Sequence, residues 1–411
     1  MARIMIVGQW LLGHLIPVLG LGAELCSRGH SVAVVAPLHY QSVIKRAGLR
    51  FVEVRHGKYP QKFITETVLE LQEVLSEETF ELMICDSGLC APAYLAEKRQ
   101  IPWVSYMTGI FWPDELMPGV PRVHERMMRM FRSAADEARA RIGLSPLQEK
   151  ARTRGDLAGL SPYLHLMMIV RELIPVPNAM PDPSVFVGPC SLVATEEDVN
   201  NEGANKDTNN DTNKGSIHET WGEIRPSSQE ISHCPTIVVC TTSADRDGYR
   251  EITERYVEEA IRVCEARTCQ LIVSEDKPYG GEKVLPGHIS WVEGVPSHDV
   301  LFRSADLIIT HGGCGTLQKA IHHRVPIIVI PLGADHLSSA VRCQELGIGE
   351  LLEPDSIEGG LEPLMDILLG NPEVKERMQK LSAKADCIQA NRNGADEVER
   401  LLQQFYINGK R

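Results

Sequence analysis

The stretch from Asp306 to His336 constrains this chain more than any other. DLIIT (Asp306–Thr310) is an apolar run of strand length and HGGCGT (His311–Thr316) is a glycine-rich turn. A short helix follows, then PIIVIP (Pro326–Pro331) as a second apolar strand, and Asp335-His336 opens another helix. Two apolar strands joined through a helix form a βαβ unit, and such units demand a parallel sheet covered on both faces. Glycines between a buried strand and a helix N-terminus expose backbone N–H groups beside the positive end of the helix dipole. That arrangement suits a phosphate or diphosphate.

The same rhythm runs through the rest of the chain. RIMIVG, SVAVVAP, RFVEV, LMICD and WVSYM alternate with amphipathic stretches between Arg3 and Met107, and TIVVCTT, CQLIVS and HISWV precede the glycine turn. This alternation predicts α/β architecture on parallel sheets. Gly109–Pro121, rich in Pro, Gly and aromatic residues, interrupts it as a long loop, and helical patterns cover Glu362–Leu369, Glu373–Cys387 and Ala395–Phe405. Thr195–Ser216 has almost no apolar residues, so it cannot offset the entropy of ordering and reads as a disordered linker.

With 411 residues, the chain is long enough for two or three domains, and two similar halves fit best. The net charge of −13 excludes an extended phosphate-binding surface, and nucleic acid is not an expected partner. Eleven cysteines without C-x-x-C spacing, several inside apolar strands, read as small buried residues in a reducing compartment. MARIMIVGQW shows no signal-peptide pattern, and no apolar run approaches the ~18 residues that span a bilayer. The expected location is the cytoplasm, with no stable membrane insertion.

Taken together, Trp291-Val292, His311–Thr316, Val325-Pro326, Ala334–His336 and Leu346-Gly347 form an ordered series. This series resembles the donor-sugar signature of the family 1 glycosyltransferases, particularly their macrolide-type branch. The opening strand with Gly13-His14 to Pro17, the strand ending at Asp86, and SVFVGPC (Ser184–Cys190) resemble that family in the same order along the chain. The resemblance implies the GT-B fold, in which two Rossmann-like domains face a cleft. The implied layout is an acceptor-binding domain over 1–193, a linker over 194–233 and a nucleotide-sugar domain over 234–390. A terminal helix over 391–411 would pack back on the first domain.

The resemblance also implies roles. His14 would be the base that takes a proton from an acceptor hydroxyl, oriented by Asp86. From spacing alone, each reads equally as an ordinary helix-end or strand-end residue. Thr242, Trp291, Val292, His311, Gly313, Cys314, Gly315, Thr316, Asp335 and His336 would hold a UDP- or dTDP-sugar. Of these, Trp291 also reads as a core residue and Asp335 as a helix cap. Trp10, Phe111, Trp112 and Met117 would line the site of a small hydrophobic acceptor, natural product, sterol or xenobiotic. No cofactor and no metal are expected, the glycine turn and His311 serving in the metal's place. The reaction implied is inverting transfer of a sugar to a hydroxyl. A sugar-nucleotide epimerase on the same fold and a non-catalytic accessory protein are the alternatives. Four features depart from the family pattern: Lys319 replaces a ribose-binding glutamate, His336 follows Asp335 in place of glutamine, Ser339 replaces an asparagine, and TTSADRDG (Thr241–Gly248) stands where a Ser-x-Gly-type turn is usual.

Overall fold

A computed structural model describes residues 1–55, 63–149, 152–192, 234–242, 248–275, 277–281, 284–293 and 298–408. The linker expected at 194–233 lies outside them.

Seven strands build the first sheet: β1 (Arg3–Val7), β2 (Ser31–Pro37), β3 (Arg50–Val54), β4 (Leu82–Asp86), β5 (Trp103–Met107), β6 (His165–Met167) and β7 (Ser184–Phe186). Every pairing is parallel, in the order β3-β2-β1-β4-β5-β6-β7. Helices α1 (Leu12–Ser27), α2 (Gln41–Arg46), α3 (Ile64–Val74), α4 (Cys90–Arg99) and α5 (Val123–Arg141) connect the strands. Because helices cover both faces, β4 is buried at all five residues and its sequence is continuously apolar up to Asp86. One face packs on Leu15, Leu19 and Leu25 of α1, and the other on Ile64, Val68 and Leu71 of α3 with Tyr94 and Leu95 of α4.

The second sheet contains β8 (Thr236–Cys240), β9 (Gln270–Glu275), β10 (Ile289–Glu293), β11 (Leu307–Thr310), β12 (Ile327–Val329) and β13 (Gly349–Leu351), in the order β10-β9-β8-β11-β12-β13, again all parallel. Its helices are α6 (Tyr249–Glu265), α7 (His298–Phe302), α8 (Cys314–His323), α9 (Ala334–Leu346), α10 (Ile357–Leu368) and α11 (Pro372–Ser382), with α12 (Cys387–Asn408) ending the described chain. One helix was expected over Glu373–Cys387. The structure breaks it at Ser382, because Asp386 accepts the Gln389 N–H at 3.0 Å and so caps α12 as a separate helix.

Each sheet reverses direction once, between β1 and β4 in the first and between β8 and β11 in the second. Crossovers leave these points on opposite faces and open a crevice at the strands' carboxyl ends, where ligands of doubly wound sheets collect. The two crevices are held in register. The loop after β5 reaches α9, where the Ser338 hydroxyl donates to the Met117 sulfur at 3.4 Å. Gln318 of α8 accepts the Val170 N–H at 3.0 Å and donates to the Met168 carbonyl at 3.4 Å, bridging the halves with one buried side chain. The core of the second sheet continues into Met107, Phe111, Met167 and Val170 of the first half.

The chain closes by sending α12 back to α1. The Arg28 guanidinium donates to Asp396 and Glu399 at 2.6 and 2.9 Å, and Val398, Leu401 and Leu402 join the first domain's core. The Asn391 amide clasps both backbone groups of Ser191. At this crossing a Cβ on Gly20 would stand 2.1 Å from the Ser191 carbonyl oxygen, so α1 tolerates only glycine there.

Candidate active site

The β1–β4 switch point carries the first cluster. Asp86 is the last residue of β4 and His14 lies in the first turn of α1, so adjacent strands bring together residues 72 positions apart. His14 Nδ1 sits 2.8 Å from Asp86 Oδ2. The other carboxylate oxygen, Oδ1, accepts the Gln9 amide N–H and the Gly88 backbone N–H, both at 2.9 Å. Thr108 places its hydroxyl 3.4 Å from His14 Nδ1, and the Tyr106 hydroxyl donates to the His14 carbonyl at 3.2 Å. Asp86 is buried, whereas the His14 side chain is one-third exposed (33%), which leaves the ring accessible from the crevice. With the Nδ1 proton given to the carboxylate, the lone pair of the neutral imidazole lies on Nε2. That is the tautomer of a general base.

Gln9, Tyr106 and Thr108 were not singled out by sequence reasoning. Gln9 stands in the turn after β1, but nothing in the pattern joins it to a carboxylate 77 positions away. Trp10 is half-buried beside this cluster, its carbonyl accepting from the Tyr40 hydroxyl at 2.8 Å. The other residues expected on the acceptor side sit differently. Phe111, Trp112 and Met117 are buried in the packing between the halves, with the Arg154 guanidinium 4.4 Å above the Phe111 ring and donating to the Trp112 carbonyl at 2.6 Å. A separate apolar recess, lined by Ile64, Cys90, Met127, Met128 and Phe131, adjoins the dyad through Gly88.

The β8–β11 switch point carries the second cluster. Gly312 has φ +95°, and a Cβ on it would meet Val329 at 2.6 Å; a Cβ on Gly313 would meet His311 Nε2 at 2.8 Å. Gly312 needs glycine for its φ, whereas a side chain at Gly313 would displace the His311 ring, which folds back over the turn. Gly315 has open space around its Cα, and Cys314, Gly315 and Thr316 start α8 with no side-chain cap. Burial, followed by the neighbouring His336, pushes the His311 imidazole down to about 3, so it is a neutral ring. Its Nδ1 is sealed from solvent and has no hydrogen-bond partner within the described protein. Burial pushes the Cys314 thiol up to about 12, which rules out a thiolate nucleophile.

His336 packs edge-on to His311 with centroids 4.8 Å apart, and Tyr249 of α6 lies 5.9 Å from His336. The Tyr249 hydroxyl crowds Gly333, whose Cβ would stand 2.3 Å from it. Asp335 opens α9 with three-quarters of its side chain exposed. Thr242 follows β8, next to β11, and so joins His311 at the same sheet end. Trp291 and Val292 lie apart on the edge strand β10, half-buried, with the indole N–H donated to the Lys277 carbonyl at 2.8 Å and the ring 5.1 Å from Tyr279. Three strand spacings separate β10 from β11, roughly 14 Å. Lys319 of α8 is ion-paired with Asp299 at 2.8 Å.

Residues 268–398 match the family described as erythromycin biosynthesis protein CIII-like, C-terminal domain. Across 102 residues the chain is 34% identical to the 2-hydroxyacylsphingosine 1-beta-galactosyltransferase of Rattus norvegicus, covering 24% of this chain and 19% of that enzyme. The chain thus spans about a fifth of the length of that relative. Similarity to the NDP-glycosyltransferase YjiC of Bacillus licheniformis is 22% identity over 95% of both chains. The structure of the glycosyltransferase of kitacinnamycin superposes with a TM-score of 0.73, covering 98% of this chain and 99% of that one at 19% identity. The fold is GT-B, and the relatives are family 1 glycosyltransferases. Both clusters therefore stand at the sheet ends that face one another in a GT-B protein. No described helix is long and apolar enough to cross a membrane.

Proposed function

We propose that this protein is an inverting, metal-independent glycosyltransferase of the natural-product type. It moves a sugar from a UDP- or dTDP-sugar to a hydroxyl of a small hydrophobic acceptor. The observation that carries this reading is the His14–Asp86 pair at 2.8 Å, on a ring one-third open to the crevice.

The acceptor O–H gives its proton to His14 Nε2 as its oxygen bonds to the anomeric carbon. The bond from that carbon to the diphosphate breaks on the opposite face, so configuration inverts in one displacement. Asp86 stabilises the imidazolium that forms. The departing diphosphate gathers negative charge, which the N–H groups opening α8 and the His311 ring receive by hydrogen bonding. A neutral His311 acts here as a donor, and binding an anion beside it raises its proton affinity. Asp335 and His336 are assigned to the sugar hydroxyls, and Trp291 with Val292 to the base. The hydrophobic acceptor is inferred from the likeness to the glycosyltransferase of kitacinnamycin; the apolar recess beside Gly88, at about 40 Å³, is too small to hold one. None of the eleven cysteines forms a disulfide, which supports a cytoplasmic location.

The test is a crossed panel of UDP- and dTDP-sugars against hydrophobic alcohols and phenols, read by mass spectrometry with and without chelator. NMR of the product then gives the anomeric configuration. Acceptor-dependent release of nucleoside diphosphate with inversion is expected, and His14→Ala abolishes most of it. Retention of configuration, loss of turnover in chelator, or an unimpaired His14→Ala variant each overturns the corresponding part.

A further inference from the structure

We infer that Gln9 is a positioning residue of the His14–Asp86 dyad, holding the carboxylate in the one rotation that presents Oδ2 to the imidazole. This rests on the dyad reading above and goes beyond it by assigning what keeps the pair aligned.

Gln9 is 93% buried, and its amide nitrogen lies 2.9 Å from Asp86 Oδ1. The Gly88 backbone N–H reaches the same oxygen at 2.9 Å. A side chain at Gly88 would intrude, since its Cβ would stand 3.1 Å from the Gln9 nitrogen and 3.2 Å from Asp86 Oδ1. Sequence and backbone therefore converge on one oxygen, and Oδ2 is left to His14 at 2.8 Å. Two N–H donors on Oδ1 block rotation about the Cβ–Cγ bond. Both are hydrogen bonds to a charged acceptor, which fix the direction of the carboxylate as well as its place.

The titratable groups around Asp86 on neighbouring strands do not compete. Burial raises the Cys85 thiol and the Tyr106 phenol well above their usual ranges and lowers the His165 imidazole to about 4.

Two variants separate positioning from mere packing. Gln9→Leu keeps the volume and removes the donor. It should lower kcat about 10- to 100-fold, with donor KM within about twofold of wild type. Gln9→Glu sets a second carboxyl against Asp86 Oδ1, where the amide nitrogen now lies 2.9 Å away. Two carboxylates that close cannot both ionise, so the pair holds one proton and the new carboxyl donates in the amide's place. Gln9→Glu should therefore keep more kcat than Gln9→Leu and lose that advantage as pH rises and the shared proton leaves. The alignment is read without turnover from the NMR signal of the hydrogen-bonded Nδ1–H of His14, identified by its loss in His14→Ala; Gln9→Leu should shift or broaden it. If no nucleotide-sugar and acceptor pair reacts with wild type, the transferase reading fails, and the Nδ1–H signal still decides the role of Gln9. An unchanged Nδ1–H signal or wild-type kcat in a folded Gln9→Leu overturns the inference. So does a loss confined to melting temperature.

Discussion

Asp86→Asn is the sharpest probe of the dyad, because the structure dictates which way the new amide must turn. Asp86 Oδ1 accepts two N–H groups, from Gln9 and Gly88, each at 2.9 Å. An amide nitrogen there would oppose two donors, so the asparagine carbonyl must occupy that position and its NH2 must face His14 Nδ1, 2.8 Å away. The amide can only donate, and Nδ1 becomes an acceptor. The ring proton moves to Nε2, the atom meant to take the acceptor's proton. Inverting the tautomer of a His–Asp pair in this way costs about 10⁴ in kcat in the serine-protease case. We expect a loss of about 10³–10⁴ here, equivalent to roughly 4–5.5 kcal/mol of transition-state stabilisation. Asp86→Ala forces no tautomer. It should retain more activity than Asp86→Asn while losing more stability, since it strands two buried donors. Single-turnover release of nucleoside diphosphate at saturating donor, paired with melting temperatures, measures both. An Asp86→Asn enzyme within tenfold of wild type, or an Asp86→Ala enzyme slower than Asp86→Asn with both folded, would refute the argument.

Gln318→Leu should leave the Val170 N–H and the Met168 carbonyl without their side-chain partner across the domain contact. A loss of about 2–3 kcal/mol is expected, seen as a lowered melting temperature with weakened nucleotide binding, and unchanged values for both would show that the bridge contributes nothing. Acid should destabilise the protein from about pH 6.5 downward. Burial lowers His165 and His298 to about 4 and His311 to about 3, so the unfolded chain binds protons that the folded one refuses. Their contribution is complete above the unfolded value and is lost as pH falls, with a slope approaching three protons, roughly 4 kcal/mol per pH unit, near pH 5. Urea midpoints at pH 7.5, 6 and 5 measure it, and a flat profile contradicts it. Lys319→Glu should not favour uridine donors by itself, because it sets a carboxylate against Asp299 where the ion pair now measures 2.8 Å. Combined with Asp299→Asn it should raise UDP affinity over dTDP several-fold, and equal gains for both nucleotides would remove Lys319 from the ribose site.

Much of the architecture was legible in the sequence, because parallel strands buried on both faces must be apolar throughout. RIMIV, SVAVVAP, RFVEV, LMICD and WVSYM each stand out as runs between amphipathic stretches, and each is a strand of the first sheet. The glycine turn was legible for a similar local reason, since a strand entering a helix so tightly holds Gly312 at φ +95°, which other residues rarely adopt. Local pattern misjudged the end of α11, where the helical period runs on through 383–386 while a single Asp386 side chain starts a new helix.

Contacts that depend on the order of strands could not be read this way. Parallel pairing of β1 with β4 sets Gln9 and His14 around the Asp86 carboxylate, and no spacing along the chain records that. Phe111, Trp112 and Met117 sit in a Pro/Gly loop that reads as exposed, and their burial depends on groups distant in sequence, among them Arg154 over the Phe111 ring and Ser338 on the Met117 sulfur. Lys319 reads as a bare cation until α7 brings Asp299 to it. Which segments become strands, helices and tight turns is written along the chain, since those follow from burial and backbone freedom within a few residues. Which polar groups meet is settled by the fold, because a hydrogen bond between positions 77 apart exists only once the sheet has placed their strands side by side.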